Sequence, residues 1–234
     1  MPLKALTLDL DDTLWPVWPA IRRAEEVLHR WLCEHAPATA ARHDTQRLRE
    51  LRHQVEQEHP ERRHDLSWLR LHSIERALQA AGDDPALAVP AFELFFDHRQ
   101  RVELYPDVPE ALAWLSARWP ILALTNGNAD LARIGLDRHV VGTLGAREFG
   151  VGKPDPRFFA AACERLGCAP HEVLHIGDDW RLDIEGAAGA GLPSVWVHRP
   201  DHPARPADAR AQPDRKSTRL NSSHSQQSRM PSSA

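Results

Sequence analysis

The chain has 234 residues, 42% of them hydrophobic, and no apolar run that approaches the ~20 residues a membrane helix needs. That length can bury one substantial core, or one core with a smaller appended module. The formal net charge of −4 gives no electrostatic footing for nucleic acid, and three cysteines (Cys33, Cys163, Cys168) without Cys-x-x-Cys spacing argue against a disulfide framework or a thiolate zinc site.

Met1 to Leu10 carries Asp9 inside its apolar stretch and lacks a small-residue cleavage site, so no secretion signal is read and the cytoplasm is the expected location. Within it, Lys4 to Leu10 (KALTLDL) is predicted to be a central strand whose carboxyl end carries acids. From Trp15 to Glu103 the apolar spacing is helical: Trp18, Ile21, Leu28, Trp31 and Leu32, then Leu48, Leu51 and Val55, then Leu71, Ile74 and Leu78, then Phe92, Phe95, Phe96 and Val102. These stripes are expected to be helix-packing core.

Beyond that block, strands and helices alternate. Val108, Leu112 and Leu115 share a helix face before the strand Ile121 to Thr125 (ILALT). Phe158, Ala162 and Leu166 share another before the strand Val173 to Ile176 (VLHI). A small-residue helix over Asp183 to Ala190 stops at Gly191 and precedes the strand Ser194 to Val197 (SVWV). Such alternation implies an α/β fold built on a parallel sheet with right-handed crossovers, its ligand site beyond the carboxyl ends of the strands.

From Asp201 the composition turns to Pro, Ala, Arg and Asp, and residues 201–213 are expected to be linker-like. The stretch 214–234 (DRKSTRLNSSH onward) resembles the conceptual translation of a sequencing adapter and is set aside as a non-native tail. Without its four basic residues and one acid, the chain carries −7 rather than −4.

Four short segments carry chemistry. Asp9-Leu10-Asp11-Asp12-Thr13 ends the first strand, where two carboxylates, Asp9 and Asp11, can approach one point and repel each other unless a cation or shared proton intervenes. Thr125-Asn126-Gly127 ends the second, where a hydroxyl and backbone amides can hold phosphoryl oxygens. Gly152-Lys153-Pro154 places a lysine in a rigid loop before a helix, able to neutralise an anion. Gly177-Asp178-Asp179, with Asp183 following, sets hard oxygen ligands at a third strand end, which suits magnesium. Taken singly, each has an ordinary structural explanation as a cap, a turn or a surface lysine.

The order DxDxT, TN, GKP and GDD with a further Asp resembles the four motifs of the haloacid dehalogenase superfamily over roughly residues 3–200. The resemblance implies a Rossmann-like catalytic core over 1–14 and 104–200, with a helical cap over 15–103 inserted after the first strand. It makes Asp9 the nucleophile that forms an aspartyl-phosphate and Asp11 the general acid and base. Thr125, Asn126, Gly127 and Lys153 match phosphoryl-binding positions. Magnesium (Mg2+) is expected on the Asp9 carboxylate, the Asp11 backbone carbonyl and Asp178. Asp183 is expected to support the metal or Lys153, with Asp179 as a lesser contributor. The implied activity is hydrolysis of a small phosphorylated metabolite by a monomer or homodimer, without a nucleic-acid or membrane partner.

A haloacid-type dehalogenase, a phosphomutase of the same fold and a non-catalytic binding protein are the competing readings. An acid at position 11 serves an alkoxide leaving group better than a halide, and none of Asp9, Asp11, Lys153 and Asp178 is missing. His171-Glu172-Val173-Leu174-His175 has the spelling of a zinc-protease motif, but it falls on a turn and a strand where that motif needs a helix.

Overall fold

The computed structural model describes residues 2–199; the segments 201–213 and 214–234 lie outside the described residues. Ala5–Leu8 (β1) is buried along its whole length, as is Ile121–Thr125 (β2). Strands buried on both faces are those of a covered parallel sheet. Three more complete it: Gly142–Gly145 (β3), Val173–Gly177 (β4) and Ser194–Trp196 (β5). All neighbours pair in parallel, in the order β3-β2-β1-β4-β5. β1 therefore lies at the centre, and the chain leaves it in one direction for β2 and β3 and in the other for β4 and β5. That reversal puts the switch point, where such sheets bind ligands, between the carboxyl ends of β1 and β4.

Ten α-helices accompany the sheet in the described residues. Between β1 and β2 come Val17–His35 (α1), Pro37–Arg42 (α2), Thr45–Glu58 (α3), Leu66–Ala81 (α4), Ala88–Arg99 (α5) and Val108–Ser116 (α6). Leu131–Ile134 (α7), Ala146–Phe149 (α8), Pro156–Leu166 (α9) and Gly186–Gly189 (α10) follow. Asp44, Asp65 and Asp155 cap α3, α4 and α9 by accepting from backbone amides two or three residues on, as the shortage of intrahelical partners there requires.

Alternation along the strands divides the core. Ala5, Leu122, Leu124 and Val173 face Phe158, Phe159 and Ala162 of α9. Leu6, Leu8, Ile121 and Ala123 face Val108 and Leu112 of α6 together with Trp15. A third cluster, built from Leu28 and Leu32 of α1, Leu48 of α3, Ile74 and Leu78 of α4 and Phe95 of α5, holds α1 to α5 together. Phe158 is fully buried, so Phe158→Ala is expected to lower the unfolding free energy by about 3–5 kcal/mol, read from urea unfolding at unchanged m. A loss below about 1 kcal/mol would mean that the α9 face repacks around the cavity.

Several boundaries differ from the sequence-based expectations. β1 ends at Leu8, two residues early, because the backbone turns at Asp9 and Leu14 N–H already donates to Leu10 C=O in a helical turn. Trp15 belongs to the sheet core, not to the helical block, and Trp18 is 58% exposed instead of packed. Val102 lies past the end of α5 and packs at the edge of the sheet core. A π-helical turn over Trp180–Glu185 precedes α10, so the helix expected from Asp183 starts earlier and irregularly. β3 was not anticipated: its GTLG sequence has little β-branched or aromatic signal and relies on pairing with β2.

Candidate active site at the carboxyl ends of β1 and β4

Asp9 is the first residue beyond β1, and its amide donates to Ile176 C=O of β4, which ties Asp9 to the switch point. The turn that follows needs Asp12 in the left-handed region (φ 62), a conformation that Asp tolerates better than most residues. The Asp12 side chain accepts from Val17 N–H at 2.8 Å and so starts α1. This tight turn sends the Asp9 and Asp11 carboxylates to different partners, not to one point.

Asp9 is buried, and its Oδ1 accepts a hydrogen bond from Lys153 Nζ. Lys153 also donates to Asp183 Oδ1 at 2.7 Å. Thr13 Oγ1 lies 2.9 Å from Asp9 Oδ2 and 2.7 Å from Asp178 Oδ1 and can give its one proton to either. Asp183 is further held by His175 Nε2 at 3.0 Å and by the Asp179 amide, which donates to Oδ2 at 2.9 Å. On the other side of the His175 ring, Nδ1 lies 2.9 Å from Thr7 Oγ1. A neutral imidazole protonated at Nε2 satisfies both contacts.

Burial pushes Asp9 well above the usual carboxylate range; the Lys153 ammonium opposes this, and the Asp183 and Asp178 charges add to it. Burial acts on Asp183 in the same sense, but the adjacent Lys153 and His175 outweigh it and hold Asp183 below the ordinary value. For Lys153, burial favours loss of the proton, and the Asp183 and Asp9 carboxylates reverse this, so the ammonium is held above its ordinary value. Burial also lowers His175, which keeps it neutral.

Asp9, Asp178 and Asp183 offer carboxylate oxygens within 4.8 Å of one another, a hard oxygen set that fits magnesium. Hydrogen bonding separates their roles. Asp183 already accepts from Lys153, His175 and the Asp179 amide, so three of its four acceptor positions are engaged, whereas Asp9 accepts from Lys153 and faces the Thr13 hydroxyl. Gly177 is required beside them, because a side chain there would collide with the Asp183 carboxylate.

The remaining predicted residues fall into place around this centre with some changes of partner. Thr125 is buried, and its Oγ1 accepts from Gly127 N–H at 2.9 Å. Asn126 spends its side chain on the lysine loop, donating to Lys153 C=O at 2.8 Å and accepting from Lys153 N–H at 2.7 Å. The Asp179 carboxylate caps the π-helical turn by accepting from Arg181 and Leu182 N–H, both at 2.8 Å, and is not in the carboxylate cluster. A cleft of about 590 Å³ opens beside Thr125 and Gly127, with Phe96 of α5 and Arg147 on its walls; Asp9 and Lys153, both buried, do not line it.

Sequence reasoning missed five contributors. Thr13 was in view as the end of DxDxT but was given no role. His175 was noticed only as half of the zinc-protease spelling; it is buried on β4, while His171 is exposed in a turn. Arg99 and Asn128 had no signal at all. Arg99 Nη2 donates to both Asp11 oxygens, at 2.8 and 2.6 Å, and its Nε donates to Asn128 Oδ1 at 2.9 Å. Trp15 Nε1 adds a third hydrogen bond to Asp11, at 2.8 Å.

With its centre at the switch point of a five-stranded parallel sheet, the protein is a hydrolase of the parallel α/β class. It belongs to the haloacid dehalogenase-like hydrolase family, whose model matches residues 3–191. The 5-amino-6-(5-phospho-D-ribitylamino)uracil phosphatase YigB of Escherichia coli (strain K12) is 34% identical to it over 206 residues, 86% of this chain and 85% of that protein. A phosphoserine phosphatase of Thermus thermophilus is 42% identical over 147 residues, 60% of this chain and 58% of its own length. The solved structure of a 2-haloacid dehalogenase from Pseudomonas syringae pv. Tomato DC3000 matches with a TM-score of 0.81 at 38% identity, covering 88% of this chain and 90% of that one.

Proposed function

We propose that the protein is a magnesium-dependent phosphomonoester hydrolase that removes phosphate from a small phosphorylated metabolite in the cytoplasm. The observation that carries this reading is the division of labour between two carboxylates two residues apart: Asp9 buried against Lys153, Asp11 held separately by Arg99 and Trp15. A nucleophile and a proton carrier need that separation.

In the proposed reaction an Asp9 oxygen attacks phosphorus and the bond to the leaving oxygen breaks, while Asp11 delivers a proton to that oxygen. Water then attacks the phosphorus of the aspartyl-phosphate, Asp11 takes a proton from it, and phosphate leaves with Asp9 regenerated. Lys153 and the Thr125 hydroxyl neutralise and orient the phosphoryl oxygens. Asp183 and Asn126 keep Lys153 in place from its two ends, the ammonium and the backbone. Magnesium would be held by Asp9, Asp178 and the Asp11 carbonyl, where it offsets repulsion between carboxylates and phosphate. Helices α1 to α5 act as a cap that closes over the sheet core and excludes water.

The relatives named for phosphatase activity support a phosphorylated substrate, and the similarity to a 2-haloacid dehalogenase supports the second reading, carbon–halogen hydrolysis. There Asp9 would attack carbon, and halide would depart without a proton, leaving Asp11 nothing to deliver. Phosphate release from p-nitrophenyl phosphate and phosphorylated metabolites, phosphoserine included, should require magnesium and fall to background with chelator. Chloride release from 2-chloropropionate without phosphate release from any compound would replace this reading with the dehalogenase.

A further inference from the structure

We infer that Arg99 is a positioning residue for proton transfer: from the end of α5 it fixes the Asp11 carboxyl against the leaving oxygen, so that acid catalysis depends on how the helical segment is seated on the sheet. The inference rests on the phosphatase reading and deepens it.

Arg99 is the last residue of α5 and is 1% exposed. Burying a guanidinium is costly unless its charge is matched, and an apolar side chain would serve packing alone better. The match is Asp11, whose two oxygens both accept from Nη2. The pair lies against the end of β2: any side chain at Gly127 would collide with Asp11 Oδ2 and come within 3.4 Å of Arg99 Nη2 and 3.3 Å of Thr125 Oγ1. Arg99 thus stands next to the hydroxyl proposed to bind phosphate. Its Nη1 is buried and has no hydrogen-bond partner among the described residues, which leaves two N–H donors unused beside the site.

A polar seam ties this guanidinium to the rest of the helical segment. Asn128, which accepts from Arg99 Nε, donates through Nδ2 to Ser67 Oγ at the start of α4, at 3.1 Å. Gln100 donates to Asn128 C=O at 3.3 Å and accepts from Asp130 N–H at 2.8 Å. Lifting α4 and α5 off the sheet breaks these contacts and removes the restraint on Asp11 together.

A residue that orients a general acid matters most when the leaving group most needs a proton. The test is kcat/KM of the full chain on a series of aryl phosphates, from p-nitrophenyl phosphate to the more basic leaving group of p-methylphenyl phosphate, for wild type, Arg99→Lys, Arg99→Met and Asn128→Ala. This ratio reports steps up to departure of the phenol. Arg99→Met is expected to lose about tenfold on p-nitrophenyl phosphate and about 100-fold or more on p-methylphenyl phosphate, so that dependence on leaving-group basicity steepens. Arg99→Lys recovers part of the difference, and Asn128→Ala shows the same steepening more weakly. Thermal unfolding confirms that the variants compared are folded; if Arg99→Met is not, Arg99→Lys and Asn128→Ala decide. Equal losses across the series in folded variants would overturn the inference and leave the phosphatase intact. Wild type that released phosphate from neither the aryl phosphates nor any phosphorylated metabolite with magnesium present would overturn both.

Discussion

Asp9→Asn is expected to lower phosphate release by at least about 10³-fold while leaving the fold intact, because an amide oxygen cannot form the acyl-phosphate on which both half-reactions depend. Stability should be kept or rise. On folding, burial and the Asp183 and Asp178 carboxylates raise the proton affinity of Asp9 against the opposition of Lys153. A carboxylate whose folded value lies above its unfolded one loses stability as pH rises through that interval, so ionised Asp9 costs stability at neutral pH without a metal. An uncharged isostere removes this cost. Turnover by steady-state assay and the midpoint of thermal unfolding, measured on the same metal-free preparation, check both halves. Persistent turnover in Asp9→Asn would assign the nucleophile elsewhere, and a large drop in the midpoint would mean that Asp9 is chiefly a structural partner of Lys153.

Lys153→Met should abolish turnover and also destabilise the protein, by about 3–5 kcal/mol, the usual cost of removing one member of a buried ion pair. Asp9 and Asp183 have 9% and 1% of their side chains exposed, so neither carboxylate that the ammonium serves can exchange it for full hydration. The pH dependence carries a sign for each partner. Asp183 is depressed below its ordinary 3.8, so its contribution is present above that value and is lost as pH falls further. Lys153 is raised above its ordinary 10.5, so its contribution is present below that value and is lost as pH rises past it. Between these limits the Asp183 and Lys153 contributions are both fully present, superimposed on the decline with pH that Asp9 imposes, and Lys153→Met should lie below wild type there. Magnesium should restore part of the stability of the variant, since a cation again faces Asp9, but not its turnover. Urea unfolding across pH with and without magnesium measures this; a variant as stable as wild type would mean that Asp9 and Asp183 are neutral in the folded protein.

What could be read early was whatever depends on near neighbours in sequence. Apolar runs of strand length marked β1, β2, β4 and β5, and the first three of these carried polar site groups at or just beyond their carboxyl ends, because in a parallel sheet the carboxyl end is where the chain turns. β3 was missed because Gly142 and Gly145 carry no periodic signal and its stability comes from pairing with β2. Trp18 was misread for a related reason: helical spacing gives the relative orientation of side chains but not how far a neighbouring layer extends, and no layer covers that position.

The candidate site divides along the same line. Residue types and their order, from Asp9 through Lys153 to Asp183, belonged to the sequence, since chemistry needs those groups whatever their partners. The partners did not. Asp9 meets Lys153 across 144 positions, Asp11 meets Arg99 across 88, and Thr13 meets Asp178 across 165. No local pattern encodes such pairs. They exist because the sheet order sets β1 between β2 and β4 and because α5 ends against the β2 loop. The sequence by itself determined the class of fold and the acids and the lysine available for chemistry. Only the tertiary structure decided that Asp183 would be spent on Lys153, that Asn126 would hold a loop, and that a buried arginine would take charge of Asp11, because burial and long-range packing choose which hydrogen-bond partner each charge must have.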